Sequence, residues 1–245
     1  MKTGIQVSSF RPVLKTPEQV AYAVERMKDM GCQTVQLQWI DPSVEPAFIA
    51  GALERSGIRS VSVQDYYTAV AENREYYRSL NRHTGGIWVC VSRIPGELRS
   101  EQGLDEYVRQ LRAMASDLEA MGQKLCFHPV SADFAPEGDL QPVEALLEKM
   151  PELAICADLY HLHKTGRDMI AWLRRYAGRI CMVHFKDYAP DGALVPAGQG
   201  VIDWAGVARA CRDTGVEYAF VEQETWQGDP FQRLEEALNW LDGEL

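Results

Sequence analysis

The chain has 245 residues, 46% of them hydrophobic, and a formal net charge of −10. That length suits one eight-unit α/β barrel or two smaller domains, and the apolar share is ordinary for a globular chain with a sizeable core. The acidic balance excludes a surface that tracks nucleic-acid phosphates, and no run approaches the roughly 20 apolar residues of a membrane span. Met1 to Gly4 leads into a strand rather than a signal-peptide core, so a cytoplasmic location is expected. The cysteines (Cys32, Cys90, Cys126, Cys156, Cys181 and Cys211) occur singly, without a C-x-x-C pair, and read as small buried hydrophobes of a reducing compartment.

Strand-like runs alternate with amphipathic helical runs throughout, with no low-complexity stretch or flexible linker, which predicts one domain over 1–245. Ile5 to Phe10 reads as the first strand. Thr16-Pro-Glu-Gln19 then opens a helix with a cap, Pro at the first helical position and Gln three residues on, and Gly31 ends it. Thr34 to Ile40 is the second strand, followed by a helix through Phe48 to Arg55. Arg59 to Gln64 is the third, followed by a short polar helix over Asn73 to Arg82. Gly86 to Ser92 is the fourth strand. The helix from Gly103 to Met121 carries Leu104, Val108, Leu111, Met114 and Leu118 on one stripe. Lys124 to Pro129 is strand five, Pro142 to Met150 its helix, Leu153 to Leu159 strand six, and Asp168 to Tyr176 the helix after that.

Strand seven, Arg179-Ile-Cys-Met-Val-His-Phe-Lys-Asp187, is apolar enough to be covered on both faces and ends in ionisable side chains. Alternation places Met182, His184 and Lys186 on one face and Val183, Phe185 and Asp187 on the other. A helix over Asp203 to Asp213, an eighth strand over Tyr218 to Glu224 and a closing helix over Pro230 to Leu241 complete eight units. The expected fold is therefore a (β/α)8 TIM barrel, with chemistry gathered at the carboxyl ends of its strands.

Strands five to eight each end an apolar run on a polar residue: Leu-Cys-Phe-His128, Ile-Cys-Ala-Asp158, Met-Val-His184 and Phe-Val-Glu222. Such a nitrogen and oxygen set suits Zn2+, Mn2+, Fe2+ or Co2+, and a cation would offset the cost of placing carboxylates side by side out of water. The competing reading of each residue alone is ordinary: a strand-end Asp or Glu often caps the next helix, and a lone His is often a hydrogen-bonded core residue. His161, three residues past Asp158, is placed to contact a substrate or supplement the metal shell. Lys186 is placed either to stabilise a substrate oxyanion or to reach solvent from the rim. His163 and Lys164 read as solvated loop residues. Trp39, Tyr66, Trp88 and Trp226, near strand ends, read as packing residues with sugar stacking as the alternative. Gly198 and Gly200 lack the strand-to-helix setting of a nucleotide-binding loop, and no organic cofactor is expected.

From Lys124 onward the chain resembles the sugar phosphate isomerase/epimerase family, with its xylose-isomerase-like TIM barrel. The branch it resembles carries Y-H-N-H-x-x-E-F on the fifth strand. The matching segments are Phe127 to Phe134, Cys-Ala-Asp158, Thr-Gly-Arg-Asp168, Val-His184-Phe-Lys-Asp187, Gly198-Gln-Gly-Val-Ile-Asp-Trp204 and Val-Glu222-Gln-Glu224, with Gly31 to Gln36 similar in outline. The resemblance implies a single-domain barrel holding a divalent cation (Mn2+, Zn2+, Mg2+ or Co2+) with a Glu, Asp, His, Glu set. Asp158, His184 and Glu222 match three of these positions. At the fourth the chain has Phe127-His-Pro-Val130, and the branch's later Glu is shortened to Asp133, which leaves His128, Asp133 or water for that place. By the same resemblance the chain is expected to isomerise or epimerise a small sugar or polyol ketone by enolisation, with Glu222 as base and His128 as the second acid or base, while His161 and Lys186 are further catalytic candidates by their positions. A dehydratase that expels a β-substituent from a keto-sugar or keto-inositol is the alternative within that chemistry. A barrel that has lost its activity and serves as a binding subunit is the alternative outside it. Short loops in the first half leave room for a second copy or a partner subunit to close the mouth.

Overall fold

The computed structural model describes residues 1–226 and 228–245. Its strands are β1 (Lys2–Gln6), β2 (Thr34–Gln38), β3 (Arg59–Tyr66), β4 (Trp88–Ser92), β5 (Lys124–His128), β6 (Ala154–Asp158), β7 (Ile180–Phe185), β8 (Asp187–Tyr188), β9 (Leu194–Val195) and β10 (Tyr218–Val221). β8 and β9 form a small antiparallel hairpin, and the other eight close a barrel in the order β1-β10-β7-β6-β5-β4-β3-β2 with every pair parallel. The helices are α1 (Pro17–Asp29), α2 (Pro46–Ser56), α3 (Tyr67–Glu72), α4 (Arg74–Thr84), α5 (Glu101–Glu119), α6 (Pro142–Lys149), α7 (Leu159–Lys164), α8 (Met169–Arg175), α9 (Ala205–Asp213) and α10 (Pro230–Glu244). This is the expected eight-unit TIM barrel.

The alternation read from strand seven sorts its side chains between two cores. Met182 belongs to the plug inside the barrel with Val61, Cys90, Cys126, Cys156, Cys181 and Phe220, whereas Val183 and Phe185 belong to the layer packed under the helices. All six cysteines are free and buried, in keeping with their reading as small core residues. The barrel closes tightly where β1 meets β2. A Cβ on Gly4 would lie 2.1 Å from the Thr34 carbonyl oxygen, so only glycine fits, and the Thr34 hydroxyl donates to the Thr3 carbonyl at 2.6 Å.

Two local differences from the sequence reading have physical causes. β1 stops at Gln6, and Val7–Val13 forms a 3-10 helix instead of continuing the strand to Phe10. The Gln6 side chain accepts from the Ser8 amide at 3.3 Å, and Pro12 brings no N–H to a ladder. The short helices α3 and α7 escape a search for periodicity because six residues hold less than two helical turns.

Candidate active site

At the carboxyl end of the barrel, His128, Asp158 and His184 are the last or near-last residues of β5, β6 and β7, and Glu222 follows β10 directly. Asp158 stands opposite His184 in the ladder, and the Glu222 amide donates to the Phe185 carbonyl at 3.1 Å. All four side chains are buried and face one another. Glu222 Oε2 lies 3.0 Å from His184 Nδ1, His128 Nε2 lies 3.2 Å from the same nitrogen, and Asp158 Oδ2 lies 3.9 Å from it and 3.7 Å from His128 Nε2.

The oxygens divide their work. Asp158 Oδ1 caps α7 by accepting from the His161 amide at 2.9 Å, and Glu222 Oε1 accepts from the Ser8 hydroxyl at 2.9 Å. The other oxygens, Asp158 Oδ2 and Glu222 Oε2, are buried without a satisfied hydrogen bond, as is His128 Nδ1. Asp158 is thus both the helix cap of the ordinary reading and a carboxylate aimed into the centre.

Lys186 supplies the positive charge that faces these oxygens. Its side chain is 1% exposed, and Nζ is 3.5 Å from Asp158 Oδ2, 3.3 Å from Glu222 Oε2 and 3.2 Å from Glu224 Oε2. Burial alone would drive this ammonium down, but Glu222, Asp158 and Glu224 raise it above the ordinary lysine value. Conversely, burial would raise Glu222, and Lys186 with His184 holds it well below the usual carboxylate range. Burial and the nearby Glu222 push Glu224 up, and burial pushes His161 down to about 4. At neutral pH His161 is a neutral imidazole, with Nδ1 2.7 Å from the Ser131 hydroxyl and Nε2 3.7 Å from Asp158 Oδ2.

A cavity of about 280 Å3 opens over this cluster, lined by His128, His161, Lys186, Glu222 and Glu224 on one side and by Gln38, Trp39, Gln64, Tyr66, Ser92 and Arg93 on the other. Trp39 (φ 56°) and Arg93 (φ 69°), just past β2 and β4, are the non-glycine residues in left-handed backbone among the described residues. Both line the cavity, where such conformations, costing of order 1–3 kcal/mol each, tend to collect. Arg93 lies over the Tyr66 ring at 5.7 Å, and Arg11 over the Trp39 ring at 4.4 Å.

Asp133 lies outside the centre. Its carboxylate accepts from the Ile94 amide at 2.9 Å and the Val130 amide at 2.8 Å, which fixes the loop after β5. That leaves His128 as the strand-five residue facing Asp158 and His184. Of the aromatic candidates, Trp39 and Tyr66 reach the cavity. Trp88 begins β4 at the far end of the barrel, and the Trp226 indole donates to the Ser9 carbonyl at 2.9 Å. His163 bonds the Tyr188 hydroxyl at 3.1 Å on the outside. Asp187 gathers the loop after β7, as described below. Residues the sequence reading left without a role here are Glu224, visible only as a second carboxylate two positions past Glu222, and Arg93. Cys156, whose sulfur lies 3.3 Å from His184 Nε2, and Gln36, whose Oε1 lies 2.6 Å from the same nitrogen, complete the surroundings.

A closed parallel barrel with a cluster of imidazoles and carboxylates at its carboxyl mouth defines a class of (β/α)8 proteins with one polar centre. More narrowly, the family described as the xylose isomerase-like TIM barrel matches residues 14–243, and the chain belongs to it. No curated protein matches the sequence. Solved structures share the fold at low identity. A sugar phosphate isomerase/epimerase from Parabacteroides distasonis aligns at TM-score 0.80 and 14% identity over 98% of this chain and 92% of the other. A D-allulose 3-epimerase from a Methylomonas species, in complex with D-allulose, aligns at TM-score 0.80 and 15% identity over 100% and 97%. A "probable 3-DHS dehydratase" from Bacillus anthracis aligns at TM-score 0.77 and 17% identity over 99% of each chain.

Proposed function

We propose that the chain is a divalent-cation-dependent enzyme that enolises a small sugar or polyol ketone, as an isomerase or epimerase. The observation that carries this reading is the pair of buried carboxylate oxygens, Asp158 Oδ2 and Glu222 Oε2, left without hydrogen-bond partners beside two imidazoles. Ligand atoms of Asp158, His184 and Glu222 lie within 4.8 Å of one another. A tetrahedral ion with bonds of about 2.1 Å needs ligands about 3.4 Å apart, and the 3.0 and 3.9 Å separations around His184 Nδ1 bracket that value. The donor set therefore fits a cation held by Asp158, His184 and Glu222, with His128 as the fourth group. Bound there, the cation would act as a Lewis acid toward a carbonyl oxygen and lower the pKa of the neighbouring C–H.

This chain's own residues carry the remaining steps. Glu222, kept ionised by Lys186, is the base that takes the proton. Glu224, whose carboxyl is raised by burial and by Glu222, faces the same cavity as a proton donor. Gln38, Gln64 and Ser92 offer hydrogen bonds to hydroxyl groups, and Trp39 and Tyr66 offer apolar faces. The dehydratase reading draws support from His161. It is a neutral imidazole at the cavity wall, oriented by Ser131, and can hydrogen-bond a leaving hydroxyl while the proton that Glu222 takes from carbon returns to that hydroxyl, which departs as water.

The test combines metal analysis with isotope exchange. Purified protein is expected to hold one Mn2+ or Zn2+ per chain, and an Asp158→Ala/His184→Ala double variant to hold none. A panel of ketoses and keto-inositols is then screened for exchange of the α-proton with D2O, which Glu222→Gln should abolish while circular dichroism stays native. Exchange undiminished in Glu222→Gln would remove this base. A native protein without metal, affinity for metal or exchange would instead favour the binding-subunit role.

A further inference from the structure

Behind the centre, a relay of buried amides holds His184 from the side away from the cavity. His184 Nε2 lies 2.6 Å from Gln36 Oε1, across the barrel from β7 to β2, and both residues are fully buried. Which end of the Gln36 amide is oxygen follows from its other contacts. The opposite end lies 3.4 Å from Met182 Sδ and 3.2 Å from Ser62 Oγ. A thioether has no proton to give, and the Ser62 hydroxyl donates to the Val63 carbonyl at 3.2 Å, so the group facing both must be the NH2. The oxygen that remains also accepts from Gln6 Nε2 at 3.0 Å. An oxygen fixed in this way can only accept from His184.

We propose that Gln36, locked by Gln6, Ser62 and Met182, is the positioning residue that keeps a proton on His184 Nε2 and thereby aims Nδ1 at Asp158, His128 and Glu222, as a donor to Glu222 in the metal-free chain and as the lone pair offered to a cation. Imidazole nitrogens differ in role according to what the other one bonds, and such outer partners set tautomer, ring orientation and ligand basicity. The consequence for cation binding rests on the function proposed above, whereas the location of the proton does not. Cys156 Sγ, 3.3 Å from Nε2, lies on the protonated side of the ring and can accept weakly from the same N–H.

The experiment is nitrogen-15 NMR of histidine-labelled protein, metal-free and after addition of Zn2+, on the native chain, Gln36→Leu and Gln36→Glu. The native chain should show a slowly exchanging His184 Nε2–H in both states, with Nδ1 moving to a metal-bound shift on Zn2+ addition. Gln36→Leu, similar in size but without an acceptor, should lose protection of that proton and bind Zn2+ about 10–100-fold more weakly. Gln36→Glu, which retains an acceptor, should recover most of the affinity. An Nε2 without a proton in the native chain, or Zn2+ held through Nε2, would overturn the proposal. So would a folded Gln36→Leu with native Zn2+ affinity and native proton protection. Were the native chain to bind no Zn2+ yet show the protected Nε2–H, lost in Gln36→Leu, the positioning role would stand and the metal-dependent function would fall. If Gln36→Leu does not fold, the native spectra alone decide.

Discussion

Asp187→Asn should be strongly destabilising, although it changes one atom. Asp187 directly follows Lys186, and its buried carboxylate gathers the loop that leads away from the centre. Oδ1 accepts from the amides of Tyr188 (2.8 Å) and Ile202 (3.3 Å). Oδ2 accepts from the amides of Gly198 (3.3 Å) and Gly200 (3.0 Å) and from the Trp204 indole (2.9 Å). Every partner is a donor, so an asparagine must turn its NH2 against either two or three of them. At about 1–3 kcal/mol for each buried donor left unsatisfied, two displaced donors cost about 2–6 kcal/mol. With a urea slope of about 2 kcal/mol/M, the transition midpoint should fall by at least about 1 M without a change in slope. Hydrogen exchange should accelerate at the Gly198 and Gly200 amides. A variant within about 0.5 kcal/mol of the native chain, with those amides still protected, would refute the view that this carboxylate is the organiser of the loop.

Two further substitutions probe the frame and the centre. Gly4→Ala should lower the melting temperature, because the added Cβ would lie 2.1 Å from a backbone oxygen and overpacking costs about 1–3 kcal/mol or more. Gly51→Ala, inside α2 and facing only the flexible end of Arg55 at 3.2 Å, should raise stability by about 0.5–1 kcal/mol in the same thermal assay. Lys186→Met should destabilise the metal-free protein by about 3–5 kcal/mol, as expected when one partner of a buried ion group is removed. It should also be rescued by Zn2+ or Mn2+ more than the native chain is stabilised, as read by differential scanning calorimetry. An unchanged melting temperature in the metal-free variant would contradict the place given to this ammonium.

The eight-unit barrel was legible because short continuous apolar runs and capped helices recur along the whole chain, and because parallel strands make their carboxyl ends a shared address. That address is why His128, Asp158, His184 and Glu222 could be brought to one mouth from four separate segments. Gln36 could not be read this way. A glutamine in a strand has no characteristic spacing, and its partner lies 148 residues away. Asp133, left open beside His128 and water for the fourth place, could not be decided from sequence, because only the structure shows the turn after Val130 spending both its oxygens on backbone amides. The segment Val-His184-Phe-Lys-Asp187, which carries the family resemblance together with Gly198 and Gly200, joins two jobs. His184 and Lys186 face the centre, while Asp187 and the glycines build a loop in which a Cβ on Gly200 would lie 2.0 Å from Asp187 Oδ1.

The sulfur-lined interior of the barrel has a practical consequence. Cys90, Cys126, Cys156 and Cys181 come from four adjacent staves, and with Cys32 and Cys211 none is more than 9% exposed. A maleimide or disulfide reagent in excess therefore cannot reach the four interior thiols while the staves stay joined, and the rate at which those four are consumed becomes a clock for how often the cylinder comes apart.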